Sequence, residues 1–70
     1  MKGAELIKRI RALGRRRNVP VRFDPKPGKG SHGVLFFGAR RTTIKDRKQE
    51  IGRGLLAGML RQLAIHKDDL

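Results

Sequence analysis

Lys26-Pro27-Gly28-Lys29-Gly30-Ser31-His32-Gly33 stands directly before the apolar run Val34-Leu35-Phe36-Phe37. Most side chains in this segment are too small or too polar to build a core. His32 is the chemically active one, because an imidazole exchanges a proton near neutral pH. A neutral imidazole beside an RNA 2′-hydroxyl could remove its proton, and the oxygen would then attack the adjacent phosphorus without a metal ion. Lys29, or backbone amides of the glycine turn at Gly30 and Ser31, could stabilise the charge that builds on the phosphoryl oxygens. Gly30 and Gly33 are expected to let the backbone approach a ligand closely.

Other chemistries fit these residues less well. A Walker A loop needs a lysine after its last glycine, but Gly30 is followed by Ser31. The turn also does not join a strand to a helix, as dinucleotide binding requires. Asp24, Asp46 and Glu50 are scattered and resemble no ligand set, and the chain has no cysteine. Neither a metal nor another cofactor is expected. The second histidine, His66, lies in the terminal segment, where an exposed side chain is expected. Asp68-Asp69 reads as a solvated tail. No residue presents itself as the general acid.

The charge balance points to the substrate. Eighteen Lys and Arg against six Asp and Glu leave a formal net charge of +12 on 70 residues. Such a surface attracts polyanions, nucleic acid first, because each neutralised phosphate releases condensed counterions. An acidic protein is the second candidate partner. The footprint is Arg15-Arg16-Arg17 with Arg40, Arg41, Lys45, Arg47 and Lys48. Of these, Arg16, Arg17, Arg40, Arg41, Lys45, Arg47 and Lys48 join Lys29, Gly30 and Ser31 as expected RNA-binding positions. No aromatic interleaves the basic runs, and Phe23, Phe36 and Phe37 read as core. Recognition is therefore expected through phosphates and 2′-hydroxyls, with little base readout. No Trp or Tyr is present to anchor an interfacial helix. No apolar run approaches the roughly 20 residues of a membrane span, and Met1 to Glu5 lack an apolar signal core. The chain reads as soluble, intracellular and free of membrane contact.

Four apolar positions, Leu6, Ile7, Ile10 and Leu13, predict a helix over residues 4–13 with Gly14 as its left-handed cap. Val19, Val21 and Phe23 alternate as a strand that begins at Pro20 or lies on an edge. Residues 33–37 form a continuous apolar strand, Gly38-Ala39-Arg40 a turn, and residues 41–44 a third strand, the last two pairing as a hairpin. Lys45 to Gln49 is a polar loop. Leu55, Leu56, Met59, Leu60 and Leu63 predict a helix over residues 54–63, with Gly58 permitting close approach to the sheet. The tail beyond Ile65 is expected to fray. The whole is one α+β domain over residues 1–70, a three-stranded antiparallel sheet with both helices on one face.

Glu5-Leu6-Ile7-Lys8 in a helix ending near Gly14, Gly30-Ser31-His32 between the first two strands, and Ile51-Gly52-Arg53-Gly54-Leu55-Leu56 through Leu60-Arg61-Gln62-Leu63 together resemble the HicA toxin family. The resemblance spans nearly the whole chain. It implies a double-stranded RNA-binding-domain-like fold and a ribosome-independent ribonuclease that cleaves mRNA in the cytoplasm. It places catalysis on His32 and implies neutralisation by a HicB-like antitoxin encoded alongside, with growth arrest under stress as the biology. DNA binding by this chain alone is not expected. Members often carry a second histidine after the motif histidine, and here that place is Gly33, which leaves a single imidazole. The alternative reading is a non-catalytic double-stranded RNA-binding module or a small ribosome-associated protein.

Overall fold

Helix α1 covers Gly3–Arg17 in the computed structural model, which describes residues 1–28, 30 and 32–70. Its expected end at Gly14 is overturned. The helix runs on to Arg17, and Asn18 takes the left-handed cap at φ 60°. Gly14 has a different role: a Cβ there would stand 2.7 Å from the Val19 carbonyl oxygen. The missing side chain lets the chain after α1 fold back against the helix. At the other end, no side chain caps the helix. The Gly3 and Ala4 N–H groups donate to the carbonyls of Gln49 and Arg47, at 3.3 and 2.9 Å. The basic 45–49 loop thus satisfies two of the donors that every helix start leaves open.

Three strands follow: β1 (Val21–Pro25), β2 (Gly33–Phe37) and β3 (Arg40–Ile44). They form an antiparallel sheet in the order β1-β2-β3. The first strand starts later than expected and runs on through Asp24 and Pro25. β1 is an edge strand, as expected, so the missing N–H of Pro25 costs no ladder bond on a central strand. Gly38 and Ala39 alone make the β2–β3 turn, Arg40 already being in the strand, and the Gly38 N–H donates to the Pro20 carbonyl at 2.8 Å.

Helix α2 covers Arg53–Leu63. It packs on β3, while α1 packs on β1 and β2. One cluster joins Leu6, Ile10 and Leu13 of α1, Leu35, Phe37 and Ile44 of the sheet, and Met59, Leu60 and Leu63 of α2. Both helices therefore cover the same face. Full burial of each large aliphatic here contributes about 2 kcal/mol. Among the described residues Thr42 is the buried polar one, and its hydroxyl donates to Gln62 Oε1 at 2.5 Å.

Three expectations about the closing segment are corrected. Leu55 is 49% exposed and does not join the buried stripe. A Cβ on Gly58 would meet nothing within 4 Å, so that glycine serves no close approach to the sheet. The tail does not fray. Ala64 adopts φ 57°, which turns the chain so that Ile65 enters the core. A short 3₁₀ segment, Lys67–Asp69, then docks on the end of α1. Arg17 pairs with the Asp69 carboxylate at 2.9 Å, and the Arg16 guanidinium donates to the Asp69 carbonyl at 3.1 Å.

Candidate nucleic-acid interface

Alternation along the strands sends one residue set into the core and the other onto the uncovered face. The uncovered set is Arg22 and Asp24 of β1, Val34 and Phe36 of β2, and Arg41 and Thr43 of β3. Register aligns them in rows: Arg22, Phe36 and Arg41 lie side by side, as do Asp24, Val34 and Thr43. The β1–β2 pairing continues one step past the strands, because the Lys26 N–H donates to the His32 carbonyl at 3.0 Å. That bond carries the alternation onward and gives Lys26 and His32 positions on the same open face. Lys45 follows Ile44, the partner of Gly33, and so stands at the same end. Gly28 and Gly30 both hold left-handed φ, 72° and 62°, in the connecting turn. His32, Lys26 and Lys45 are exposed. Lys29 and Ser31, expected to hold phosphate, lie outside the described residues.

Gly33 has a packing role. It is buried, and a Cβ on it would meet Phe23 Cζ and lie 2.8 Å from both Phe23 Cε1 and the Asp24 carbonyl oxygen. Its bareness makes room for Phe23. Phe36 departs from the expected core position. It is absent from the core and only partly buried on the open face. The Arg22 guanidinium lies 4.3 Å from its ring centroid, a cation–π distance, and 3.8 Å from the Asp24 carboxylate. A groove of about 520 Å³ runs beside it, lined by Asp24, Lys26, Val34, Phe36, Arg41 and Thr43 together with the Thr42–Gln62 pair. Sequence reasoning missed Phe36 because a continuous apolar strand reads as buried on both faces. The available signal was parity: Phe36 is an even step from His32 and an odd step from Leu35.

The remaining cations divide between the two ends of the sheet. Lys48 is exposed in the 45–49 loop, where its N–H donates to Asp46 Oδ1 at 2.9 Å, and the Arg47 guanidinium stands 5.0 Å from the Phe23 ring. These residues share the His32 end. Arg16 and Arg17 sit at the far end of α1, about 20 Å away along the helix axis. Arg40 opens β3 at that same far end, opposite Phe37. The fold therefore leaves Lys45, Arg47 and Lys48 at the His32 end of the sheet, sets Arg41 on the open face, and sends Arg16, Arg17 and Arg40 to the other end. Arg17 also holds the Asp69 carboxyl below the usual carboxylate range through its hydrogen bond. His66 belongs to that far segment and is exposed, its Nδ1 accepting from the Asp68 N–H at 3.2 Å. It does not stand beside His32.

Among the described residues, no group of three His, Cys, Asp or Glu could hold a metal ion, and no helix is long and apolar enough to cross a membrane. No protein-family model, curated protein or solved structure matches the chain.

Proposed function

We propose that this chain is an mRNA-cleaving endoribonuclease of the HicA toxin type, with His32 as its general base. One observation carries the reading: His32, an exposed histidine, is paired through its carbonyl with Lys26 at the end of an uncovered sheet face, the end at which Lys45 leaves β3. In the proposed reaction His32 takes the proton of a 2′-hydroxyl. The O2′–P bond forms, the P–O5′ bond breaks, and the departing 5′-oxygen takes its proton from solvent. Lys29, Gly30 and Ser31 hold the phosphate in this reading, and Lys26 and Lys45 guide the strand to it. The implied setting is the cytoplasm, with no cofactor in any step. An acidic HicB-like antitoxin would gain association rate from the +12 charge and silence the toxin by covering His32. The distance of His66 from His32 favours a second reading, a non-catalytic RNA-binding module or small ribosome-associated protein, because no second imidazole is at hand to act as general acid.

The deciding assay incubates wild type and His32→Ala with a long RNA in excess EDTA. A lost general base should slow cleavage by roughly a hundredfold or more. Intact RNA with wild type, or equal cleavage by His32→Ala, ends the ribonuclease reading. Cleavage at a 2′-deoxy position would rule out attack by the 2′-hydroxyl.

A further inference from the structure

We propose that the open sheet face is a seat for unpaired RNA, in which one nucleobase stacks against Phe36 and the Arg22 guanidinium while the backbone runs over Lys26 toward His32. The inference rests on the RNA reading above and adds its substrate class, single-stranded rather than duplex. Phe36 is the starting observation. It occupies the middle strand, on the face that neither helix covers, and it leaves apolar ring surface at the centre of a cationic sheet. The cross-strand contact with Arg22 stabilises the sheet modestly, and the core on the other face does not use this ring.

Arg22 is the second observation. Its side chain is 65% exposed, yet its guanidinium is parked over the Phe36 ring. A ring and a guanidinium plane together are the two surfaces on which unpaired bases stack. Arg41 flanks Phe36 on the other side in register. Among the described residues, Arg22, Arg41, Lys26 and Lys45 set four cations against the carboxylate of Asp24 on this face, so the surface suits a polyanion. Register then supplies the direction. His32 precedes Phe36 by four residues, about 13 Å along the strand. A stacked nucleic-acid strand rises about 3.4 Å per nucleotide, so a base seated on Phe36 lies within a few nucleotides of a phosphate at His32. Duplex RNA cannot use the seat, because its bases are already stacked inside the helix. An acidic protein would satisfy the cations equally well, but it has no need of a ring with a guanidinium laid across it.

The test measures binding of a short unpaired 2′-O-methyl RNA, which cannot be cleaved by 2′-oxygen attack, and of the same sequence as a duplex. Phe36→Leu keeps apolar volume and removes the π face. It should raise the single-strand Kd roughly tenfold. Its duplex Kd and thermal midpoint should stay at the wild-type values, and Phe36→Tyr should restore single-strand affinity. Equal single-strand binding by wild type and Phe36→Leu overturns the seat. So does an equal loss of affinity for polyglutamate, which would assign the face to an acidic protein. The two proposals fail separately. A stacking loss without any wild-type cleavage sinks the ribonuclease alone, and His32-dependent cleavage with unchanged Phe36→Leu binding sinks the seat alone.

Discussion

Leu35 and Phe36 are neighbours on β2, yet they belong to different parts of the molecule. Leu35 is fully buried between Phe23 and Thr42 in register, in the core that both helices line. Phe36, one residue on, faces away with Arg22 across its ring. The two faces of one sheet thus do different work with similar side chains. On the covered face, apolar surface stabilises the fold. On the open face, apolar surface is surrounded by cations and left available. Hydrophobicity therefore says little about a residue's role here until its face is known.

The largest expected effect tests the covered face. Leu35→Ala should destabilise the domain by about 2–5 kcal/mol, read from the urea midpoint. A chain of this size has roughly 4–10 kcal/mol in total, so much of its stability would go. Phe36→Leu should stay within about 0.5 kcal/mol of wild type in the same titration. A comparable loss at both positions would erase the distinction between the faces.

Two helical glycines extend the comparison. Gly14→Ala should destabilise by about 1–3 kcal/mol, because the new methyl group meets the Val19 carbonyl. Gly58→Ala meets nothing within 4 Å and should stabilise by about 0.5–1 kcal/mol through its helix propensity. Shifts of the same sign would show that α1 does not lie as close to the returning chain as the contact at Gly14 requires.

The smallest effect concerns the far end. Because the Arg17 hydrogen bond lowers the Asp69 pKa in the folded state, the carboxylate binds its proton less readily there than in the unfolded chain. Its contribution is present above the ordinary carboxylate pKa and fades as pH falls through the lowered folded value. Asp69→Asn should therefore remove a small part of the acid dependence of stability and leave neutral-pH RNA cleavage unchanged. A loss of cleavage in Asp69→Asn would mean that the two ends of the sheet are not functionally separate.

Periodicity made most of the fold legible. The stripe of Leu6, Ile7, Ile10 and Leu13 located α1, the run from Gly33 to Phe37 matched β2 to the residue, and Leu60 and Leu63 placed α2. Errors fell where a local signal has two physical causes. A glycine ends a helix or admits a close neighbour, and Gly14 does the second. The tail beyond Ile65 looked solvated and loose, but Asp69 found Arg17. The candidate site was named as a composition, with His32 and the cations proposed from residue type alone. Arg16, Arg17 and Arg40 joined that list on charge, and the fold carried them to the other end.

By itself, then, the sequence determined the order of elements, the apolar stripes that join them and the net charge of +12. These are local or summed properties, and no folding is needed to read them. Only the tertiary structure decided which cations stand with His32 and which face of β2 is left open. Both depend on strand register and on which side the helices cover, and those follow from contacts between residues far apart in the chain.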